Sequence, residues 1–360
     1  MLHKLARALF LRSGLGPQLR EGVKAGQRST ARLEKRVQEL QKTEGQLRTR
    51  IERLEARIGD LAEKQQADVE RGLDQRDRLH VIEELHLGAR LATLELARRV
   101  DLEERLTTAT AAIAATYPLA QMATHVRAAL ALSARSDDPF PHVVIDDVFP
   151  AGFHDLLYET RPPKGFWREG RESRENWFVG EDPAPLSTEA AWGYLDTVVV
   201  PHVLMPELTS LFADYLKGLP DVRSAKADRF EYGRSGGRVM LRRPGYHFEP
   251  HLDPHRAMLT GLFYAGTPQD SQAYGTKLFR TDRSMPESHR GVYYPLREGA
   301  TCEFVSMVPS RPNSLLVFAS RIGLHGADIP EDAPASLERY AYQFYIGKAQ
   351  RGSKESASAY

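Results

Sequence analysis

The sequence predicts an α+β chain in two parts: a long α-helical coiled coil, then a double-stranded β-helix (jelly roll) filling the C-terminal half. Three observations predict it. Residues 30–110 are Pro-poor and dense in Glu, Arg, Gln, Leu and Ala. Within them, apolar residues recur with alternating steps of four and three. Beyond Ser136 the texture changes, and short apolar runs rich in β-branched and aromatic residues alternate with Gly- and Pro-containing turns.

The seam reads Leu33, Val37, Leu40, Glu44, Leu47, Ile51, Leu54, Ile58, Leu61, with Glu44 as its one polar position. A period of 3.5 places a narrow apolar stripe along a helix, and burying that stripe needs a partner helix. Identical chains are the expected partners, so the protein is expected to be a homo-oligomer through this region. The seam fails at Gln65 and Asp68, where a stutter or hinge is expected. It returns, broader, through Leu79, Ile82, Leu87, Leu91, Leu94 and Val100. Residues 111–137 read as a helical connector in which Pro118 ends or kinks a helix.

Ahead of the seam, residues 1–29 carry Lys4, Arg7, Arg12, Arg20, Lys24 and Arg28 against the single acid Glu21. If residues 2–12 are helical, Leu2, Leu5, Leu9 and Phe10 share a face. Weak contact of residues 1–28 with an anionic membrane surface, an organelle-targeting role, and a solvated lead-in are all compatible with this pattern. No apolar run is long enough for a secretory signal or a transmembrane helix. The expected location is therefore cytoplasmic, peripheral to a membrane if the lead segment binds one. The single cysteine, Cys302, allows no intramolecular disulfide and suits a reducing compartment. The net charge is +1, from 49 Lys and Arg against 48 Asp and Glu, so no nucleic-acid partner is expected.

Residues 138–350 are expected to form one domain. The run 141–149 reads as a strand; 151–160 and 188–217 read as helical. Strand-like runs follow at 228–233, 238–243, 258–265, 276–280, 301–308, 314–319 and 339–347. Residues 351–360 read as a disordered, Gly/Ser-rich tail.

The chemistry is concentrated in residues 243–253, RPGYHFEPHLD. His251 and Asp253 are two apart, so at a strand end they project to one face. An imidazole and a carboxylate so placed can take neighbouring positions on a divalent metal. A second imidazole from a distant strand would complete a facial triad with open positions, as non-heme Fe(II) oxygenation requires. The best candidate is His325, which follows the strand-like run SLLVFAS (314–320). A helical zinc site from His247, His251 and His255 competes with this reading, but Gly245, Pro250 and Pro254 make a helix there implausible.

The surroundings carry a family resemblance. GYHFEPHLD (245–253) resembles the metal-binding strand of prolyl 4-hydroxylase-type 2-oxoglutarate oxygenases. LTGLFYAG (259–266), AYGTKLF (273–279), RPNSLLVFASRIGLHGADI (311–329) and ERYAYQFYIG (338–347) resemble the following core strands in family order, and PFPHVVIDDVFP (139–150) resembles the first strand of bacterial members. The resemblance implies Fe(II) on His251, Asp253 and His325, and 2-oxoglutarate with its C5 carboxylate on Arg339 and a hydrogen bond from Tyr264. Gln343, on the face of Arg339, is a further candidate for the co-substrate. It also implies dioxygen as oxidant, ascorbate as an auxiliary reductant, and hydroxylation of an unidentified substrate, a protein side chain or a small molecule. Asp253 itself favours hydroxylation, because halogenating relatives replace this carboxylate with a small residue. A guanidinium can bind a carboxylate through two parallel hydrogen bonds, so Arg339 suits a dicarboxylate on chemical grounds as well.

This sequence departs from the family pattern in three places. Arg339 stands where collagen-type enzymes have Lys, Tyr274 replaces the first Gly of a Gly-Gly pair, and the loop 328–336 lengthens the gap from His325 to Arg339. Trp167, Trp177 and Trp192 and the basic segment 164–176 read either as a substrate-side lid or as core aromatics beside a solvated loop. Two other functions compete: a coiled-coil scaffold whose barrel is not catalytic, and a cupin-like barrel using its metal for a different reaction.

Overall fold

The structure, a computed structural model, describes residues 45, 49–50, 52–64, 75–168, 173–224, 230–267 and 272–349. The lead segment 1–29, the seam up to Leu47 together with Ile51, and the tail 351–360 lie outside the described residues. The chain divides into two units, Met1–Asp101 and Leu102–Tyr360.

In the first unit, residues 52–64 are helical, and Leu54, Ile58 and Leu61 are the partly covered positions among otherwise exposed neighbours. These are three of the nine positions of the expected seam. A second helix spans Gln75–Thr116. Leu54 and Ile58 line a groove whose other wall includes Ala89 and Leu94 of that helix, so part of the stripe meets its own chain. Leu87, Leu91 and Leu94 remain 57–66% exposed. No helix among the described residues is long and apolar enough to cross a membrane.

In the second unit the helix ends at Thr116, and a new one, Leu119–Ala131, starts after Pro118, as a residue without an N–H and with fixed φ dictates. Among the described residues two antiparallel sheets follow. The larger contains β1 (Arg135–Ser136), β2 (His142–Ile145), β3 (Arg174–Phe178), β4 (Tyr232–Arg242), β6 (Ala257–Tyr264), β9 (Ser314–Ala319) and β11 (Arg339–Lys348), in the order β1-β2-β9-β6-β11-β4-β3. The smaller contains β5 (His247–His251), β7 (Thr276–Thr281), β8 (Cys302–Val308) and β10 (His325–Asp328), in the order β5-β10-β7-β8.

The strands β6 and β9 are buried along their whole length, and β11 all but its last residue, because both faces of the large sheet are covered. One face, with Val239, Leu241, Phe263, Val317, Tyr342 and Phe344, packs on the helices Ala151–Glu159 and Leu186–Tyr194 and on the π-helical stretch Leu195–Leu204. The other face turns Met240, Leu262, Tyr264, Leu316 and Phe318 toward the small sheet, where Leu278 and Val308 meet them. Trp177 and Trp192 are fully buried in the first of these layers, as the core reading requires.

Some expected elements change form. The end of the run 228–233, from Tyr232, joins the run 238–243 in the single strand β4 through Gly236 and Gly237. At Gly237 a Cβ would lie 1.8 Å from the Asp196 carboxylate, so only glycine lets Asp196 reach the strand. The expected helix 188–217 is broken: Pro201 sits inside its π-helical stretch, and short helices follow at Met205–Leu211 and Ala213–Gly218. The strands β3 and β10 lie outside the strand-like runs, whereas β5 falls inside the segment 245–253 that resembles a metal-binding strand.

Candidate metal centre

At one side of the small sheet the edge strand β5 pairs antiparallel with its inner neighbour β10, with His251 opposite His325. Their rings stand 4.2 Å apart between centroids, and both are buried, at 2% and 5% exposure. Asp253 lies two residues beyond His251, where β5 has ended, and is buried at 2%. Its carboxylate faces both imidazoles, with Nε2 of His251 3.9 Å and Nε2 of His325 3.8 Å away. One ligand atom from each of the three lies within 4.8 Å of the others, so the group could hold a metal ion.

The proton positions favour that use. Nδ1 of His251 lies 3.0 Å from the Glu249 carbonyl, and Nδ1 of His325 lies 2.9 Å from the Gly323 carbonyl. A carbonyl can only accept, so each Nδ1 carries the proton and each Nε2 presents a lone pair toward Asp253. Asp253 is fixed in turn: Thr260 Oγ1 donates to Oδ2 at 2.6 Å, and the Tyr345 hydroxyl donates to Oδ1 at 3.1 Å. Thr260 and Ser320 share a further hydroxyl–hydroxyl bond of 2.7 Å. Outer partners of this kind orient ligands and tune their basicity. The donor set of two neutral imidazoles and one carboxylate suits a divalent transition metal with open positions.

Burial, and then the facing imidazole of His325, hold His251 well below the ordinary histidine range. Unfolded chains take up this proton near pH 6.5, whereas the folded protein resists it. Stability of the metal-free protein is therefore fully present above that pH and falls as the pH drops through it, by up to about 1.4 kcal/mol per unit. Melting of metal-free protein at pH 7.5 and 5.5 checks this: wild type should lose more than His251→Gln. Equal losses would mean that His251 is not held neutral.

Arg339, at the start of β11, is buried at 8%. Its Nη1 donates to the carbonyls of Tyr274 (2.7 Å) and Gly275 (2.9 Å), while its Nε is buried without a partner. Tyr264 is fully buried beside it, and its hydroxyl is bonded to Thr276 Oγ1 at 2.7 Å. Arg339, Tyr264 and Thr276 thus gather at the inner end of the barrel. Gln343 faces the same interior, but its Oε1 accepts Nε (2.7 Å) and Nη2 of Arg238. Its amide oxygen orients that arginine.

Sequence reasoning brings His251, Asp253 and His325 together and places Arg339 and Tyr264 side by side. It missed Thr260, Tyr345, Ser320, Arg238, Arg242 and Tyr246. The available signal was period-two alternation: Thr260-Leu262-Tyr264, Arg339-Ala341-Gln343-Tyr345 and Arg238-Met240-Arg242 each put every second residue on the face that carries the site. The alternative helical zinc site is not formed. His247 to His251 is a strand, and His247 is exposed and bonded to Asp328.

No family model matches the chain, and no curated protein does. Among solved structures it is similar to HygX from Streptomyces hygroscopicus, solved with nickel, 2-oxoglutarate and hygromycin B (11% identity, 61% of this chain and 86% of that one, TM-score 0.36). It is similar to a prolyl-4-hydroxylase from Pseudomonas putida (18% identity, 64% and 100%, TM-score 0.32). A 2OG-Fe(II) oxygenase-family oxidoreductase from Burkholderia pseudomallei is a third (13% identity, 64% and 89%, TM-score 0.31). At these scores the functional reading rests on the residues of the site.

Proposed function

We propose that this chain is an Fe(II)- and 2-oxoglutarate-dependent dioxygenase that hydroxylates an unidentified substrate and releases succinate and carbon dioxide. The observation that carries the reading is the pairing of a buried two-histidine, one-carboxylate group with a buried guanidinium whose Nε has no partner. His251, Asp253 and His325 would hold the iron, and Arg339 with Tyr264 would hold the far carboxylate of 2-oxoglutarate. Iron bound with this co-substrate supplies the oxidation of an unactivated C–H bond, in which O2 delivers one atom to the product and one to succinate. The protein's own part is orientation and exclusion of water. Thr260 and Tyr345 fix the carboxylate ligand, the two backbone carbonyls fix the imidazole tautomers, and the apolar layer around Leu262, Leu278 and Phe318 keeps the interior dry.

The test is iron-dependent succinate release from 2-oxoglutarate by full-length protein, with Arg339→Gln alongside. Loss of a charge-assisted bidentate contact, about 1.5–3 kcal/mol, should weaken 2-oxoglutarate binding by roughly 10- to 150-fold and leave iron binding unchanged. Absence of both succinate and 2-oxoglutarate binding would move the assignment to a cupin-like or scaffold role.

The exposed Leu87, Leu91 and Leu94 support association of the helix Gln75–Thr116 with a second copy of the chain. Sedimentation of wild type against a Leu87→Glu, Leu91→Glu variant tests this: the variant should sediment as the smaller species.

A further inference from the structure

The register of the large sheet puts three arginines on one rung. Arg242 of β4 stands opposite Arg174 of β3 on one side and opposite Arg339 of β11 on the other. Directly opposed residues in antiparallel strands have Cα atoms about 4.5–5.5 Å apart, and like charges so placed repel. Arg238 lies four residues back along β4, on the same face, and is also buried.

Among the described residues, no carboxylate offsets the rung. Arg242, 2% exposed, donates to the carbonyls of Glu175 (2.6 Å) and Leu241 (2.9 Å) and to Asn176 Oδ1 (2.9 Å), all neutral acceptors. Its Nε, like that of Arg339, is buried with no partner. Among the described residues, no carboxylate is paired with Arg174, Arg242 or Arg339. Burial and the neighbouring guanidiniums push Arg242 down to about 10, still charged at neutral pH, with the Tyr246 hydroxyl the one group opposing the shift. The Tyr246 ring sits among them, with Arg242 4.9 Å and Arg339 5.7 Å from its centroid. At the other end, Arg174 lies 4.9 Å from the Phe248 ring, which packs 4.0 Å from the His251 ring. The rung therefore reaches from the proposed co-substrate end to the half-exposed edge of the sheet, beside a proposed metal ligand.

Buried like charges are expensive and persist where something compensates them. One 2-oxoglutarate brings one far carboxylate, enough for Arg339. Arg174 and Arg242 are left over. We propose that the substrate is itself an acid, and that Arg174 and Arg242, with Tyr246 beside them, bind its carboxylate or phosphate next to His251. This rests on the oxygenase reading and adds the class of substrate. Arg242 supplies the buried half of the anion site, and Arg174 closes it from the edge strand. The planar, bidentate guanidinium matches either oxyanion.

The test uses full-length protein loaded anaerobically with Fe(II) and saturated with 2-oxoglutarate, titrated calorimetrically with inorganic phosphate and, separately, with acetate. One of these anions is expected to bind on top of 2-oxoglutarate. Binding of phosphate alone marks a phosphorylated substrate; binding of acetate alone marks a carboxylic acid. Arg174→Gln, at a half-exposed position that folding tolerates, should weaken that anion at least about tenfold and leave 2-oxoglutarate affinity within about twofold. Arg339→Gln should do the reverse. The proposal is overturned if neither anion binds, if the anion binds only by displacing 2-oxoglutarate, or if Arg174→Gln leaves its affinity unchanged. Failure of wild-type protein to bind 2-oxoglutarate is a different result, and it removes the oxygenase reading itself.

Discussion

Asp253→Ala is expected to lose at least about 100-fold in Fe(II) affinity and to reduce succinate formation to the background of metal-free protein. Changing an outer partner of a metal ligand typically costs 10- to 100-fold, and removing the ligand itself costs more. The two histidines would remain in place, because their Nδ1 protons are tied to the carbonyls of Glu249 and Gly323, not to Asp253. Far-ultraviolet circular dichroism should therefore be unchanged while metal content after dialysis collapses. Tyr345→Phe makes a graded companion. It removes one of the two hydrogen bonds to the carboxylate and should weaken iron by about tenfold without abolishing turnover. Iron-dependent succinate from Asp253→Ala at a tenth of the wild-type rate or more would remove the triad assignment.

The second large effect lies on the helix-covered face of the large sheet. Asp196, 2% exposed in the π-helical stretch, accepts Arg234 Nη1 at 2.7 Å and the Tyr342 hydroxyl. Burial, and then the Asp196 charge, hold the Tyr342 hydroxyl well above the ordinary tyrosine range, so it stays a donor. These contacts tie the helical layer to β4 and β11, the strands that carry the arginine rung. Asp196→Ala strands a buried hydroxyl and breaks a largely buried ion pair, a change that costs about 3–5 kcal/mol. Chemical denaturation followed by tryptophan fluorescence should show a fall of that size, with Asp196→Asn recovering part of it through its remaining acceptor. A loss below about 1 kcal/mol would mean that the pair does not anchor the layers.

Much of this architecture was legible in the sequence, and what was missed has a common cause. The strands β6, β9 and β11 were readable because their whole length is buried, so they are written as apolar, β-branched and aromatic runs. The strands β5 and β10 were not written in propensity; β5 was legible only through its likeness to a metal-binding strand. They contain Pro250, Gly326 and polar or ligating side chains, and they pair because two histidines must stand opposite each other. There the site dictates the strand, and propensity is overridden. Gly275 was read only as part of a motif. In the structure a Cβ there would lie 1.8 Å from the Val308 carbonyl, and the Gly275 carbonyl is one of the two acceptors that hold Arg339. The triad was read from His-x-Asp at an expected strand end together with the resemblance of the surrounding segments to prolyl 4-hydroxylase-type oxygenases. The arginine rung was invisible, because Arg174, Arg242 and Arg339 are 68 and 97 residues apart in sequence and only the pairing of β3, β4 and β11 aligns them.

The edge position of β3 has an evolutionary consequence. Residues on β6, β9 and β11 are bonded to neighbours on both sides, so a change there disturbs two ladders and the packing of two layers. The strand β3 is the outermost of its sheet, paired with β4 along one side. On the proposed reading, a lineage could rewrite position 174, and with it the anion that is accepted, without touching the ladders of β6, β9 and β11. If Arg174 does choose the acceptor, substrates could diversify through a single edge residue while its buried neighbour Arg242 stays fixed between two strands.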